Sequence, residues 1–281
     1  MRLIGILFVV TLLFALSVGA EAQDAKSAGV IEKQLAAIGA KDKRDAVKNM
    51  LAAGVSEFES KLPNTKGVGK GIVVTNPNNF FFLISLNSKE YPFEKIGYFD
   101  SKMSLPFVNA GARSPLGAFI ADHEKILSDG VLGGTMSGRW LLLPGQVKRG
   151  KIVYGGTRKL GDRKVHALEY YPGDGASTEF TTRIFIDAEN YQHVRTEYRH
   201  QISPRQDRWG TLGTQGGVIL TLSEDFSDFR QTDGLTLPYK YQANYSSDSN
   251  SGMYEYKWRF NISQYQFNKN LAPDFFTFDV K

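Results

Sequence analysis

Ser137, in the run Gly134-Thr135-Met136-Ser137-Gly138, comes nearest in this chain to an activated nucleophile. A Gly-x-Ser-x-Gly elbow needs a glycine two residues to either side of the serine, and here the spacing is wrong on both sides. The four histidines, His123, His166, His193 and His200, form no H-E-x-x-H motif and no close pair at metal-ligand spacing. Gly67-Val68-Gly69-Lys70-Gly71 lacks the spacing of a phosphate-binding loop and leads into a strand pattern instead of a helix. Asp248-Ser249-Asn250 has too few oxygen ligands for a calcium loop and reads as a turn. Asn244-Tyr245-Ser246 and Asn261-Ile262-Ser263 match glycosylation sequons, yet both fall within strand patterns. The sequence therefore predicts no enzyme, no metal and no cofactor, an exported hydrolase being the outlying alternative. What remains is apolar and aromatic surface repeated at a spacing of two, and the chemistry of such surface is binding.

That spacing defines the elements. Tyr254, Tyr256, Trp258, Phe260 and Ile262 alternate with Met253, Glu255, Lys257, Arg259 and Asn261, giving a strand one bulky face and one mostly polar face. Leu235, Leu237, Tyr239, Tyr241, Ala243 and Tyr245 do the same against Lys240, Gln242 and Asn244. Phe80 to Leu86 is apolar on both sides, as in a strand covered on two faces. Strands are predicted near 54–62, 67–76, 79–88, 93–100, 103–109, 151–161, 163–171, 178–188, 191–203, 216–230, 235–247 and 252–268. Gly161-Asp162, Ala188-Glu189-Asn190 and Asp233-Gly234 make short hairpin joints. Consecutive hairpins without crossover helices imply an antiparallel meander, in a mainly β (α+β) fold built on one large curved sheet.

Helices are few. Val30, Ile31, Leu35 and Ile38 stand at helical spacing with Gly39 as a stop, and a second helix is expected from an Asp42 cap through Val47, Met50 and Leu51 to Gly54. Between the fifth and sixth strands, Ser114 and Pro115 cap a helix running to about Leu127, with Leu116, Phe119, Ile120, Ile126 and Leu127 apolar. Gly130-Val131-Leu132-Gly133-Gly134 follows as a glycine-rich link. The inserted helix is either a movable lid over the sheet's mouth or a permanent plug of its concave face. The aromatic stripes correspondingly line either an apolar cavity or an ordinary packed core.

Location is written at the N-terminus. Arg2, the apolar run Leu3 to Val18 and the exit Ala20-Glu21-Ala22 form a signal-peptide pattern, with cleavage expected after Ala22 and a single domain over 23–281. Cleavage removes Arg2 and Glu21 together, so the net charge stays +5, too weak an excess to suggest nucleic acid. The chain has no cysteine, hence no disulfide and no thiol for lipid attachment, and the expectation is a soluble, unanchored periplasmic monomer. Lys148, Arg149, Lys151, Arg158, Lys159, Arg163 and Lys164 cluster around the Gly161-Asp162 turn. They are either a solvated hairpin end or a site for transient docking to a membrane or membrane protein. An outer-membrane barrel fits the strand number, but the helices and the outward Lys257 and Arg259 oppose it.

Leu35-Ala36-Ala37-Ile38-Gly39 closing the first helix, Ser114-Pro115-Leu116 after five strands, and Asp228-Phe229-Arg230 followed by Asp233-Gly234-Leu235-Thr236-Leu237-Pro238 together resemble the periplasmic lipoprotein-carrier superfamily. This superfamily comprises the LolA-like and LolB-like proteins and the outer-membrane lipoprotein-sorting proteins. Phe267-Asn268 with Phe276 and Phe278 adds to the likeness. The resemblance implies an incomplete β-barrel with helices across its mouth and a hydrophobic cavity for acyl chains of lipids or lipoproteins. A lipid-sensing regulator of the same fold is the alternative role. By alternation alone, the cavity-facing candidates are Phe82, Ile84, Val194, Tyr198, Tyr239, Tyr241, Trp258 and Phe260, with Leu116, Phe119 and Ile120 from the inserted helix.

Overall fold

A computed structural model of the chain describes residues 25–62, 64–89, 91–137, 142, 150–172, 179–203, 217–272 and 275–276. Twelve strands form a single antiparallel sheet in the order β5-β4-β3-β2-β1-β12-β11-β10-β9-β8-β7-β6. They are β1 (Met50–Lys61), β2 (Asn64–Thr75), β3 (Phe80–Leu86), β4 (Phe93–Phe99), β5 (Lys102–Ser104) and β6 (Lys151–Leu160). The rest are β7 (Arg163–Tyr171), β8 (Phe180–Asp187), β9 (His193–Ile202), β10 (Val218–Thr232), β11 (Leu235–Ser249) and β12 (Gly252–Phe267). Two meanders, β1 to β5 and β6 to β12, are thus joined only where β1 pairs with β12. The sheet is not closed, since β5 and β6 are its two edges.

It is curled, however. Four strand steps separate β3 from β11, about 19 Å in a flat sheet, yet the rings of Phe82 and Tyr241 lie 6.3 Å apart. Their shared face is therefore concave. It gathers Ile84, Ile96, Leu168, Ile184, Tyr198, Phe226, Trp258 and Phe260 into one apolar cluster. The outer face of β2 and β3 is covered as well, with Val74 and Phe81 packed against Phe276 of the C-terminal segment. That accounts for the two-sided apolar run in β3.

The two ends of the half-barrel differ. At one, β2–β3, β4–β5, β6–β7, β8–β9 and β10–β11 turn tightly through polar residues, among them Asn76–Asn79, Asp100-Ser101, Gly161-Asp162 and Asp233-Gly234. Asn76 Oδ1 accepts hydrogen bonds from the backbone N–H groups of Asn78 and Asn79 at 2.9 and 2.8 Å, and Asp233 and Gly234 both adopt positive φ, as a primed hairpin turn requires. The other end, the mouth, carries the β1–β2 and β11–β12 turns, the β3–β4 link and the ends of β7 and β9.

Helix α1 spans residues 25–38 and lies on the concave side, its Val30, Leu35 and Ile38 buried. The ammonium of Lys26 sits over the Tyr154 ring and that of Lys33 over the Tyr191 ring. The second helix is shorter than its sequence implies: α2 covers only Lys41–Asp45, behind Ala40, and Met50 to Ala53 belong to β1. Val47, Met50 and Leu51 fit a helical stripe, but Met50 is worth more as a buried rung between Thr75 and Phe267. The fifth strand is also shorter, three residues in place of 103–109.

The segment between β5 and β6 lies inside the curl. Helix α3 (Pro115–Asp122) begins as expected, with Ser114 Oγ accepting from Gly117 N–H at 2.8 Å and Pro115 in the first turn. The single helix to Leu127 is not formed. His123 leaves helical geometry at φ −132°, and α4 (Lys125–Ser128) follows before a 3₁₀ turn at Gly134–Met136. Breaking the helix lets Ile126, Leu127, Val131, Leu132 and Met136 all face the sheet, which one straight stripe does not permit.

Candidate functional site

The concave face and its inserted segment form the candidate site. Of the predicted residues, Phe82, Ile84, Leu116, Phe119, Ile120, Tyr198, Tyr241, Trp258 and Phe260 come together in the one buried cluster. Phe119 packs its ring near Phe180 and Tyr245, and toward the mouth Phe58 stacks on Tyr91 with Trp258 tilted against both. Tyr239 is half-buried at the turn end, its ring against Tyr265 and its hydroxyl 2.7 Å from Thr232 Oγ1. Val194 is a correction. The β8–β9 register shifts so that Phe185 pairs with Arg195 and Ile186 with His193. The extra residue, Val194, turns to the outer face and packs with Val165, Ala167 and Phe185.

Two buried carboxyl groups on the concave face hold the insert. Glu94 on β4 accepts from Ser114 Oγ at 2.8 Å and from the Tyr91 hydroxyl, which in turn receives the Trp258 indole N–H at 3.3 Å. Glu224 on β10 accepts from the backbone N–H of Gly133 at 2.9 Å and from the hydroxyls of Tyr198 and Tyr241 at 2.7 and 2.9 Å. Burial pushes Glu94 up to about 8; it pushes Glu224 up to about 7, against the lowering effect of its three donors. A third tether runs from the Tyr170 hydroxyl on β7 to Asp129. Sequence reasoning missed these acids although the signal was present: each stands in phase with apolar neighbours, Glu94 with Ile96 and Tyr98, Glu224 with Leu222 and Phe226.

At the mouth, Phe58, Ser60, Thr65, Tyr91, Val108, Ser114 and Tyr256 enclose a pocket of about 190 Å³. Ser60 Oγ is buried there with no hydrogen-bond partner among the described residues. His123 and His200 meet edge to face at 4.7 Å close by, His123 stacked on Phe180. Among the described residues, no three histidine, cysteine or acidic side chains cluster as a metal site would require. Ser137 Oγ is buried, with no hydrogen-bond partner among the described residues. His193, the histidine nearest Gly134, is held down to about 4 by burial, and its Nε2 lies 2.9 Å from Thr196 Oγ1.

Of the basic cluster, Lys151 begins β6 at the mouth opposite Tyr171, but Arg158, Lys159, Arg163 and Lys164 lie at the turn end, remote from the mouth. Arg163 reaches Asp187 at 3.8 Å there, beside a polar groove of about 520 Å³ that Asp162, Asp187, Glu189 and Asp228 share with Arg163 and Lys164. Lys148 and Arg149 lie outside the described residues, as does the expected signal peptide.

No family model matches the sequence, and no curated protein does. Solved structures do. A LolA superfamily protein from Nitrosomonas europaea aligns over 85% of this chain and 96% of its own, at 12% identity and a TM-score of 0.43. An outer membrane lipoprotein-sorting protein domain from Vibrio parahaemolyticus aligns over 91% and 97%, again at 12% identity and 0.43. A DUF1329 family protein from Desulfovibrio piger aligns over 89% and 96%, at 11% identity and 0.39. The structural neighbours of this open, twelve-stranded half-barrel thus include LolA superfamily and outer membrane lipoprotein-sorting proteins, the group its sequence resembles.

Proposed function

We propose that this chain is an exported, soluble carrier that holds acyl chains of a lipid or lipoprotein against the concave face of its half-barrel. One observation carries the reading: the face is apolar and aromatic from β3 to β11, and what fills it is a segment whose described residues pair with none of its strands. A strand could leave only by breaking a hydrogen-bonded ladder. The insert is tied by a few directional contacts, at Glu94, Tyr170 and Glu224. An acyl chain entering in its place gains about 0.8 kcal/mol per buried methylene, which offsets the loss of those contacts once the chain also covers the apolar surface the insert vacates. The pocket bounded by Phe58, Tyr91 and Tyr256 is the way in.

Export rests on the Arg2, Leu3–Val18 and Ala20-Glu21-Ala22 pattern. No helix of the described residues is long and apolar enough to cross a membrane. Native mass spectrometry of the purified protein tests the carrier directly. Adducts of lipid mass, lost on delipidation and restored by adding a long-chain fatty acid, are expected. A protein that stays free of adducts and leaves a fluorescent fatty acid unbound is a packed scaffold and not a carrier.

A further inference from the structure

Eight large apolar side chains stand exposed among the described residues, and six of them are at the mouth. Leu62 is in the β1–β2 turn, Phe107 in the segment after β5, Tyr171 and Ile202 at the ends of β7 and β9, and Met253 and Tyr254 at the start of β12. The strand registers place them there together: Lys61 opposes Asn64, Ser249 opposes Gly252, Val218 opposes both Ser249 and Ile202, and Tyr171 opposes Lys151. Their exposures run from 38% to 59%. The turn end carries none of the eight. The remaining two, Val55 and Val68, lie midway along β1 and β2.

We infer that the mouth docks on a phospholipid surface through this rim. The six residues are spread around the arc, from the segment after β5 through the β1–β2 turn and β12 to β7. A protein partner is ordinarily met by one contiguous patch with a desolvated centre. Separated side chains around one end instead fit a broad, nearly flat partner into which each dips a short way. Their types suit the boundary between headgroup and acyl chain, where aromatic rings and long apolar side chains seat together. The charge balance permits it: the chain carries +5 overall, and among the described residues at this end Glu255 and Glu59 are paired with Lys61 and Lys66, while Lys151 stands opposite Tyr171 and Asp248 opposite Met253. The proposal stands apart from the cargo reading, because a surface can be met whether or not the interior takes up a chain. It also moves the lipid contact away from Arg158, Lys159, Arg163 and Lys164, which the fold puts at the opposite end.

Vesicles of equal parts phosphatidylcholine and phosphatidylglycerol test this. Residues 3–18 are themselves apolar, so every comparison is between proteins sharing one N-terminus. Withdrawing one rim side chain from the lipid boundary should weaken partitioning about tenfold, the worth of one such buried group. Met253→Asp and Tyr254→Asp should each do so in co-sedimentation, while Val55→Asp and Val68→Asp, as exposed but off the rim, should leave it unchanged. Because the chain has no cysteine, Leu62→Cys and Val55→Cys each take one environment-sensitive dye at a defined place. Vesicles should blue-shift the dye at 62 and not the dye at 55, a readout that needs no destabilising substitution. Equal loss from the two valine variants, a shift at 55 alone, or loss on Arg163→Glu and Lys164→Glu with none from the rim overturns the proposal.

Discussion

Glu94 is a carboxyl group kept in an apolar interior, and the direction of its shift sets a pH dependence. Folded, it holds its proton to about 8; unfolded, it releases it near its ordinary 4.5. Between those values Glu94 keeps its proton only in the folded state, so its contribution to stability falls as pH rises through the window, whereas His123 and His193, each held down to about 4 by burial, add stability as pH rises from about 4 toward 6.5. The Glu94 shift corresponds to on the order of 5 kcal/mol. Glu224, at about 7, adds a loss of the same sign over the lower part of the window. Half-buried Glu59 and Asp228 act oppositely to Glu94: lysine and arginine neighbours hold both below the usual carboxylate range, so their small contribution is lost as pH falls. Glu94→Gln, which keeps an uncharged group in place, should flatten the decline in denaturation free energy between about pH 6.5 and about pH 9. A slope as steep as in the parent chain would assign the pH dependence elsewhere.

Among the elements, the insert is the one whose hold on the sheet can be loosened without touching a strand. Gly134 has φ +49°, and a Cβ there would lie 2.6 Å from the Phe226 ring and 2.8 Å from His193. Gly134→Ala should therefore lower stability by about 2–4 kcal/mol through left-handed strain and overpacking. It should also speed uptake of a fluorescent fatty acid, since the strain falls on the filled state. Stopped-flow mixing that finds slower uptake would make the insert a support for the pocket and not its occupant. The twelve strands were legible because Tyr, Phe and Leu at a period of two met turn residues such as Asp233-Gly234. The helices were less so. The stripe through Val47, Met50 and Leu51 satisfied a helical period by coincidence, and pairing partners over 200 residues away decided the matter for β1. The site was half legible: alternation assigned Phe82, Trp258 and Phe260 to the interior, but a bulge turned Val194 outward, and one-residue slips leave no trace in composition.

At the scale of the whole molecule, the β1–β12 seam joins the two meanders and must wait for the last strand. Met50 pairs with Phe267, so the two meanders meet only through partners more than 200 residues apart, and slow refolding follows from such distant contacts. Gly54 sits at the seam's register shift, where a Cβ would fall 2.0 Å from the Asn261 carbonyl oxygen and 2.8 Å from Ile262 Cα. Gly54→Val should cost about 3 kcal/mol or more and slow refolding, because neither backbone can yield without opening the seam. Urea unfolding with an unchanged midpoint would mean that the seam tolerates a wider gap. The opposite edges have no such seam. A closed barrel has a circumference fixed by strand number and stagger, and widening it means tearing a ladder. With β5 and β6 left as free rims, this sheet behaves as a split collar: a small change in coiling, shared over eleven strand pairings, alters its bore while every pairing stays intact. Girth is then a continuous variable, and on the proposed carrier function occupants of unequal thickness share one sequence without a second conformation being encoded for each.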